Sequence, residues 1–168
     1  MRISTLALLA ALAIPPAAAA QQRIGIMVST LTGTTPGQAC GFDCNDPNNT
    51  RVVSVVSGST INVVLFGDAN LPAALVVGLG TAIPVCPGIP IPGVQNSLLI
   101  VPSNILTAVS APAPSAAGRT LCPSGGSTSA VSQLQVPPHA AGATLTWQGL
   151  VYDQGTPSLT RAIETPIR

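Results

Sequence analysis

The stretch Ser59-Thr60-Ile61-Asn62-Val63-Val64-Leu65 decides how this chain is read. It opens with polar and apolar residues in alternation, so an extended, pleated backbone puts Ile61, Val63 and Leu65 on one face and Thr60 and Asn62 on the other. One face belongs in a core and the other in water. Similar short runs rich in Val and Ile occupy 22–29, 51–57 and 71–79, and each is bounded by Gly, Asn, Asp or Pro.

Further strand candidates are 97–101, 104–109, 129–136, 144–152 and 158–163, which brings the total to eight or nine. Helical periodicity is nearly absent after residue 20, and the 17 prolines would interrupt any long helix. Short strands at this even spacing predict an all-β fold, an antiparallel β-sandwich of about eight strands, with a barrel as the other closed arrangement. Two connections are too irregular for strands, 30–50 and 82–96 with its recurrent prolines, and 111–128 is a third long connection. Long loops outside a rigid sheet are where binding is expected.

The N-terminal residues carry an address. Arg2 is followed by an apolar stretch from Leu6 to Ile14 and by the small residues Ala18-Ala19-Ala20, the pattern of a cleaved signal peptide. Its apolar part is about half of the roughly 20 residues a membrane span needs, and Pro15-Pro16 closes it. The expectation is a signal peptide at 1–20 and one secreted or cell-surface domain at 21–168, with no membrane span after cleavage.

Charge narrows the partners. Beyond the leader, Arg23, Arg51, Arg119, Arg161 and Arg168 balance Asp43, Asp46, Asp68, Asp153 and Glu164, and lysine is absent. No field steers such a chain to nucleic acid or to an anionic membrane. Its solubility rests on hydroxyl and amide groups, a surface suited to an extracellular assembly or to an extracellular or cell-surface partner of unknown identity.

Cys40, Cys44, Cys86 and Cys122 form an even set in an exported chain, which favours disulfides over metal or nucleophilic roles. Of the three pairings, Cys40 with Cys44 and Cys86 with Cys122 is preferred, because the first two flank a short loop and the second two bracket strand candidates. Closing the longer loop would stabilise the fold by about 3 to 4 kcal/mol in the chain-entropy account. Tetrahedral zinc usually draws on two close cysteine pairs, and only one is present.

Phe42, Phe66, Trp147 and Tyr152 are the only large rings, so the core must be aliphatic. In 144–152, Leu145, Trp147, Gly149 and Val151 share a face. Trp147 is read as core filling, with Gly149 making room beside it and Tyr152 projecting from the other face.

Candidate chemistry is sparse. His139, the single histidine, lies in a turn next to Pro137-Pro138, and no Gly-x-Ser-x-Gly elbow accompanies it. Asp68 and Asp153 fit strand-end turns, where carboxylates accept hydrogen bonds from nearby amides. Asp43, Asn45, Asp46, Asn48 and Asn49 crowd oxygen atoms into one loop that could hold calcium, although the spacing is not that of an EF-hand; a solvated turn cluster is the preferred reading. Gly78-Leu79-Gly80 lacks the third glycine of a nucleotide fingerprint and reads as a strand end. No catalytic residue, cofactor or metal is assigned.

From Gly67 onward the chain resembles a group of exported all-β proteins of unknown function from planctomycetes and other environmental bacteria. The resemblance is carried by 71–80, by Leu98-Leu99-Ile100-Val101-Pro102, by Val136-Pro137-Pro138, and most sharply by the stretch from Gly142 to Asp153 around Gln148. It implies export and a β-sandwich and no known activity. The function expected is therefore a secreted, non-enzymatic β-sandwich with a structural, cell-surface or extracellular binding role. Two alternatives are an extracellular hydrolase with a carboxylate or serine site, and a fimbria-like subunit with an open groove.

Overall fold

A computed structural model describes residues 23–30, 37–41, 50–83, 88–115, 122 and 127–168. These residues are all-β. The first sheet has the order β2-β1-β4-β9, built from β1 (Gly25–Thr30), β2 (Gly37–Cys40), β4 (Thr60–Gly67) and β9 (Ser127–Gln135). All its pairings are antiparallel. The second sheet has the order β3-β11-β10-β5-β8, from β3 (Thr50–Val52), β5 (Ala73–Leu79), β8 (Ile105–Ala111), β10 (Thr144–Asp153) and β11 (Thr156–Pro166). Two very short strands, β6 (Ile89–Pro90) and β7 (Ser97–Leu98), pair with each other.

Alternation places the core. In β4, Ile61, Val63 and Leu65 are buried, and they join Ile26 and Val28 of β1 in one apolar cluster with Leu75, Val77, Trp147, Val151 and Ile163 of the second sheet. Trp147 and Val151 are buried on the face predicted for them, and the indole Nε1 donates to Thr165 Oγ1 at 2.7 Å. The role of Gly149 is more specific than room beside Trp147. A Cβ there would lie 2.6 Å from Leu65 Cδ2, so the glycine admits a side chain of the other sheet. It also faces a bulge in β11, where the register steps from Gln148↔Ala162 to Leu150↔Leu159, and its N–H is accepted by Thr160 Oγ1 at 2.9 Å.

Several expectations are corrected. β3 runs parallel to β11, as do the bridges Val55↔Ile167 and Gln95↔Ser158, so the second sheet is mixed rather than antiparallel. The connection 30–50 contains β2. The strand expected over 97–101 is ordered only as Ser97–Leu98, because Leu99 N–H is taken by the Gln148 side chain instead of a neighbouring strand. The proline-rich segment is a cover more than a free loop. Leu98 and Ile100 pack with Leu159 on the second sheet's outer face, with Ile89 and Val94 against them. Ile100 sits so close to β5 that only glycine fits at Gly78, where a Cβ would meet Ile100 Cγ2.

The favoured cysteine pairing is also corrected: Cys40 bonds to Cys122, across a separation of 82 residues. The register explains it. Gly25 pairs with Cys40 on one side and Phe66 on the other, so the three form a row across the first sheet, and Cys122 packs with Phe66 and Val64. A Cβ on Gly25 would stand 2.8 Å from Cys122 Sγ and 2.7 Å from Ala39 O. The bare glycine lets the bridge lie flat on the sheet. Cys44 and Cys86 lie outside the described residues.

Candidate functional site

The charged groups that converge do so where β1, β4 and β10 meet. Arg23 precedes β1, Asp68 follows β4, and the antiparallel register of these strands, carried past Gly25↔Phe66, brings the two opposite each other. Arg23 Nη2 lies 3.4 Å from Asp68 Oδ1, and Nη1 lies 3.7 Å from Asp153 Oδ1 at the end of β10. Two carboxylates therefore share one guanidinium. All three side chains are partly buried.

Local structure holds this arrangement. Gln154 and Gly155 both have positive φ, 52° and 76°, so they form the two-residue turn that suits the twist of the β10–β11 hairpin. Gly155 N–H donates to Asp68 Oδ2 at 2.8 Å, and Asp68 N–H donates to Tyr152 O at 2.8 Å. Asp68 thus joins the end of a first-sheet strand to a second-sheet hairpin. It accepts an amide hydrogen bond as expected, but from a turn 87 residues away rather than from its own.

Asp153 departs from that expectation. Its Oδ1 is buried without a hydrogen-bond partner. Burial pushes its carboxyl above the ordinary aspartate value; Arg23 opposes the shift and the Asp68 charge adds to it. Chemically, the group is an acid that holds its proton more tightly than a free aspartate, beside a second carboxylate fixed by an arginine and an amide.

The remaining candidates are dispersed. His139 is exposed on a single 3-10 turn, Pro138–Ala140, before β10 begins, whereas Asp68 and Asp153 lie at its far end. Ten residues of strand separate them, a span of about 30 Å. Glu164 accepts from Ala82 N–H at 2.8 Å. Gly78 lies within β5 and Gly80 just beyond it with φ of 95°, the strand end expected. Asp43, Asn45, Asp46, Asn48 and Asn49 lie outside the described residues. Among the described residues no group of three or more His, Cys, Asp or Glu is placed to hold a metal ion, and no helix is long and apolar enough to cross a membrane.

Sequence reasoning gave Arg23 and Gln148 no structural role, the first entering only as a charge and the second only in the resemblance. Arg23 could have been found from the β1–β4 register. Gln148 stands in the middle of an apolar strand, and it is fully buried: Oε1 accepts Leu99 N–H at 2.8 Å, and Nε2 donates to Ser97 O at 2.9 Å and Thr160 O at 2.8 Å. It fastens the outer cover to the second sheet.

The surface shows one further feature. β8 forms an edge of the second sheet, and six of its seven residues are exposed, Leu106 by 57% and Val109 by 40%. Comparison with family models, with curated proteins and with solved structures gives no match.

Proposed function

We propose that this chain is a secreted, non-enzymatic β-sandwich whose role is structural, joining an extracellular or cell-surface assembly through a sheet edge. The observation that carries this reading is β8: an exposed apolar edge strand with no charged residue. Sheet edges of free-standing proteins are commonly blunted with lysine, proline or bulges, because unpaired backbone groups recruit other strands, and residues 107–111 of β8 carry none of these. A leader at 1–20, the Cys40–Cys122 disulfide and the resemblance to exported all-β proteins support an oxidising, extracellular setting. The apolar cluster shared by the two sheets supports the sandwich.

The test expresses the full chain with its own leader and follows it in the source organism. Processing near Gln21 and retention in the envelope or matrix fraction are expected, with Ala108→Lys releasing the protein to the medium. An unprocessed cytosolic product, or retention indifferent to Ala108→Lys, would overturn the reading.

The second reading, an extracellular hydrolase, is favoured by the Asp68–Asp153 pair, in which one carboxyl is displaced toward the protonated form. It predicts hydrolytic activity abolished by Asp153→Asn, screened on glycosides and esters.

A further inference from the structure

We infer that the partner of β8 is β8 of a second copy, paired antiparallel about a two-fold axis at Val109. This rests on reading β8 as the working edge.

The backbone sets which groups are free. Gly80 N–H donates to Thr144 O, which makes Gly80 and Thr144 a hydrogen-bonded pair of the β5–β10 ladder, and alternation then turns the even residues of β5 toward β10. The odd residues face β8. Ala73, Leu75 and Val77 pair there with Ala111, Val109 and Thr107, so the N–H and C=O groups of Ala108 and Ser110 point away from the sheet. The open edge has clear ends. Leu106 is the extra residue of a bulge, because the register steps from Val77↔Thr107 to Gly78↔Ile105, and Pro112 has no N–H to offer. Between them lies a regular window of five residues, 107–111.

That window is self-complementary. A two-fold at Val109 opposes Ala108 to Ser110 and Ser110 to Ala108, so the outward groups of each copy meet those of the other in four hydrogen bonds. Val109 meets Val109 as the close, non-hydrogen-bonded pair, and Thr107 meets Ala111. The side chains are small or β-branched, and like charges oppose each other nowhere. Charge is compatible with the same occupant. A strand with no charge gives no preference to a charged partner, and a chain whose charges balance beyond the leader does not repel its own copy. Other edges fit less well: β2 and β3 span four and three residues, and β9 is rich in Ser, Thr and Gln.

Sedimentation of the purified, processed protein should show a reversible dimer. Ser110→Pro removes one outward N–H from each copy and leaves the β5 ladder intact, so the dimer should weaken at least about tenfold. Val109→Cys places two thiols at the close pair, where Cα atoms stand about 4.5 Å apart. It should give a covalent dimer without added cross-linker, whereas Thr107→Cys, opposed by Ala111, should not. Trp147 emission and the Cys40–Cys122 peptide report folding in each variant. A native protein monomeric at the highest soluble concentration, or Thr107→Cys cross-linking as well as Val109→Cys, would overturn the inference. Monomeric protein whose envelope retention is still lost in Ala108→Lys would overturn self-pairing alone. A dimer whose retention ignores that substitution would overturn the assembly role alone.

Discussion

Gln148 shows how much a single polar residue can organise. Its amide satisfies one backbone donor and two acceptors on the second sheet's outer face; the side chain and its bonds to Leu99 and Thr160 are buried, and the bond to Ser97 is partly so. Gln148→Leu leaves those backbone groups unpaired and should lower unfolding free energy by about 3 kcal/mol, measured by urea titration. Gln148→Glu should be worse at neutral pH, because a carboxylate would face the carbonyls of Ser97 and Thr160. Asp153 makes the opposite kind of prediction. Its carboxyl is raised by burial, so the folded state binds the proton more tightly than the unfolded chain. The stability linked to that proton is present in acid and is lost as pH rises through the raised value. Asp153→Asn should therefore melt above the parent at neutral pH and close to it in acid, a difference read from thermal midpoints across pH. Of these residues, Trp147 and the aliphatic face of β4 were legible in the sequence, because period-two alternation fixes a direction. Arg23 was not, because its partners depend on a register between strands.

At the scale of elements, the disulfide marks where local reasoning stops. Proximity in sequence favours the short loop from Cys40 to Cys44, since small loops close easily. The folded register instead sets Cys40 in a row with Gly25 and Phe66, and Cys122 descends on that row. A bridge spanning 82 residues constrains the unfolded chain strongly, and the double variant Cys40→Ala, Cys122→Ala should lose about 4 kcal/mol. Chemical denaturation measures that loss, and non-reducing peptide mapping should recover Cys40 linked to Cys122. The strands themselves were largely legible: β4, β5, β8, β10 and β11 fall within a few residues of their predicted bounds. The segment after Ala82 was misjudged for a physical reason. Its prolines hold it to the two-residue ladder of β6 with β7, but Leu98, Leu99 and Ile100 still need burial, and the apolar outer face of β10 and β11 supplies it.

At the scale of the whole molecule, the absence of lysine and a net charge of +1 from six arginines and five acidic residues describe a surface with little electrostatic character. The sequence alone leads to the expectation of an assembly but not to a particular edge, because exposure of β8 follows from its place at the end of the sheet order. The two facts together bear on how association should respond to salt. Contacts built from ion pairs weaken as the Debye length shrinks from about 14 Å to about 4 Å between roughly 0.05 and 0.5 M sodium chloride. Pairing through Ala108, Val109 and Ser110 contains no charge to screen, so the dimer's dissociation constant should hold steady across that range. Sulfate, which strengthens burial of apolar surface, should tighten it. Sedimentation equilibrium in the two salts separates the cases: a dimer that dissolves with sodium chloride would be held by Arg51, Arg168 or another exposed charged group, and not by the open edge of β8.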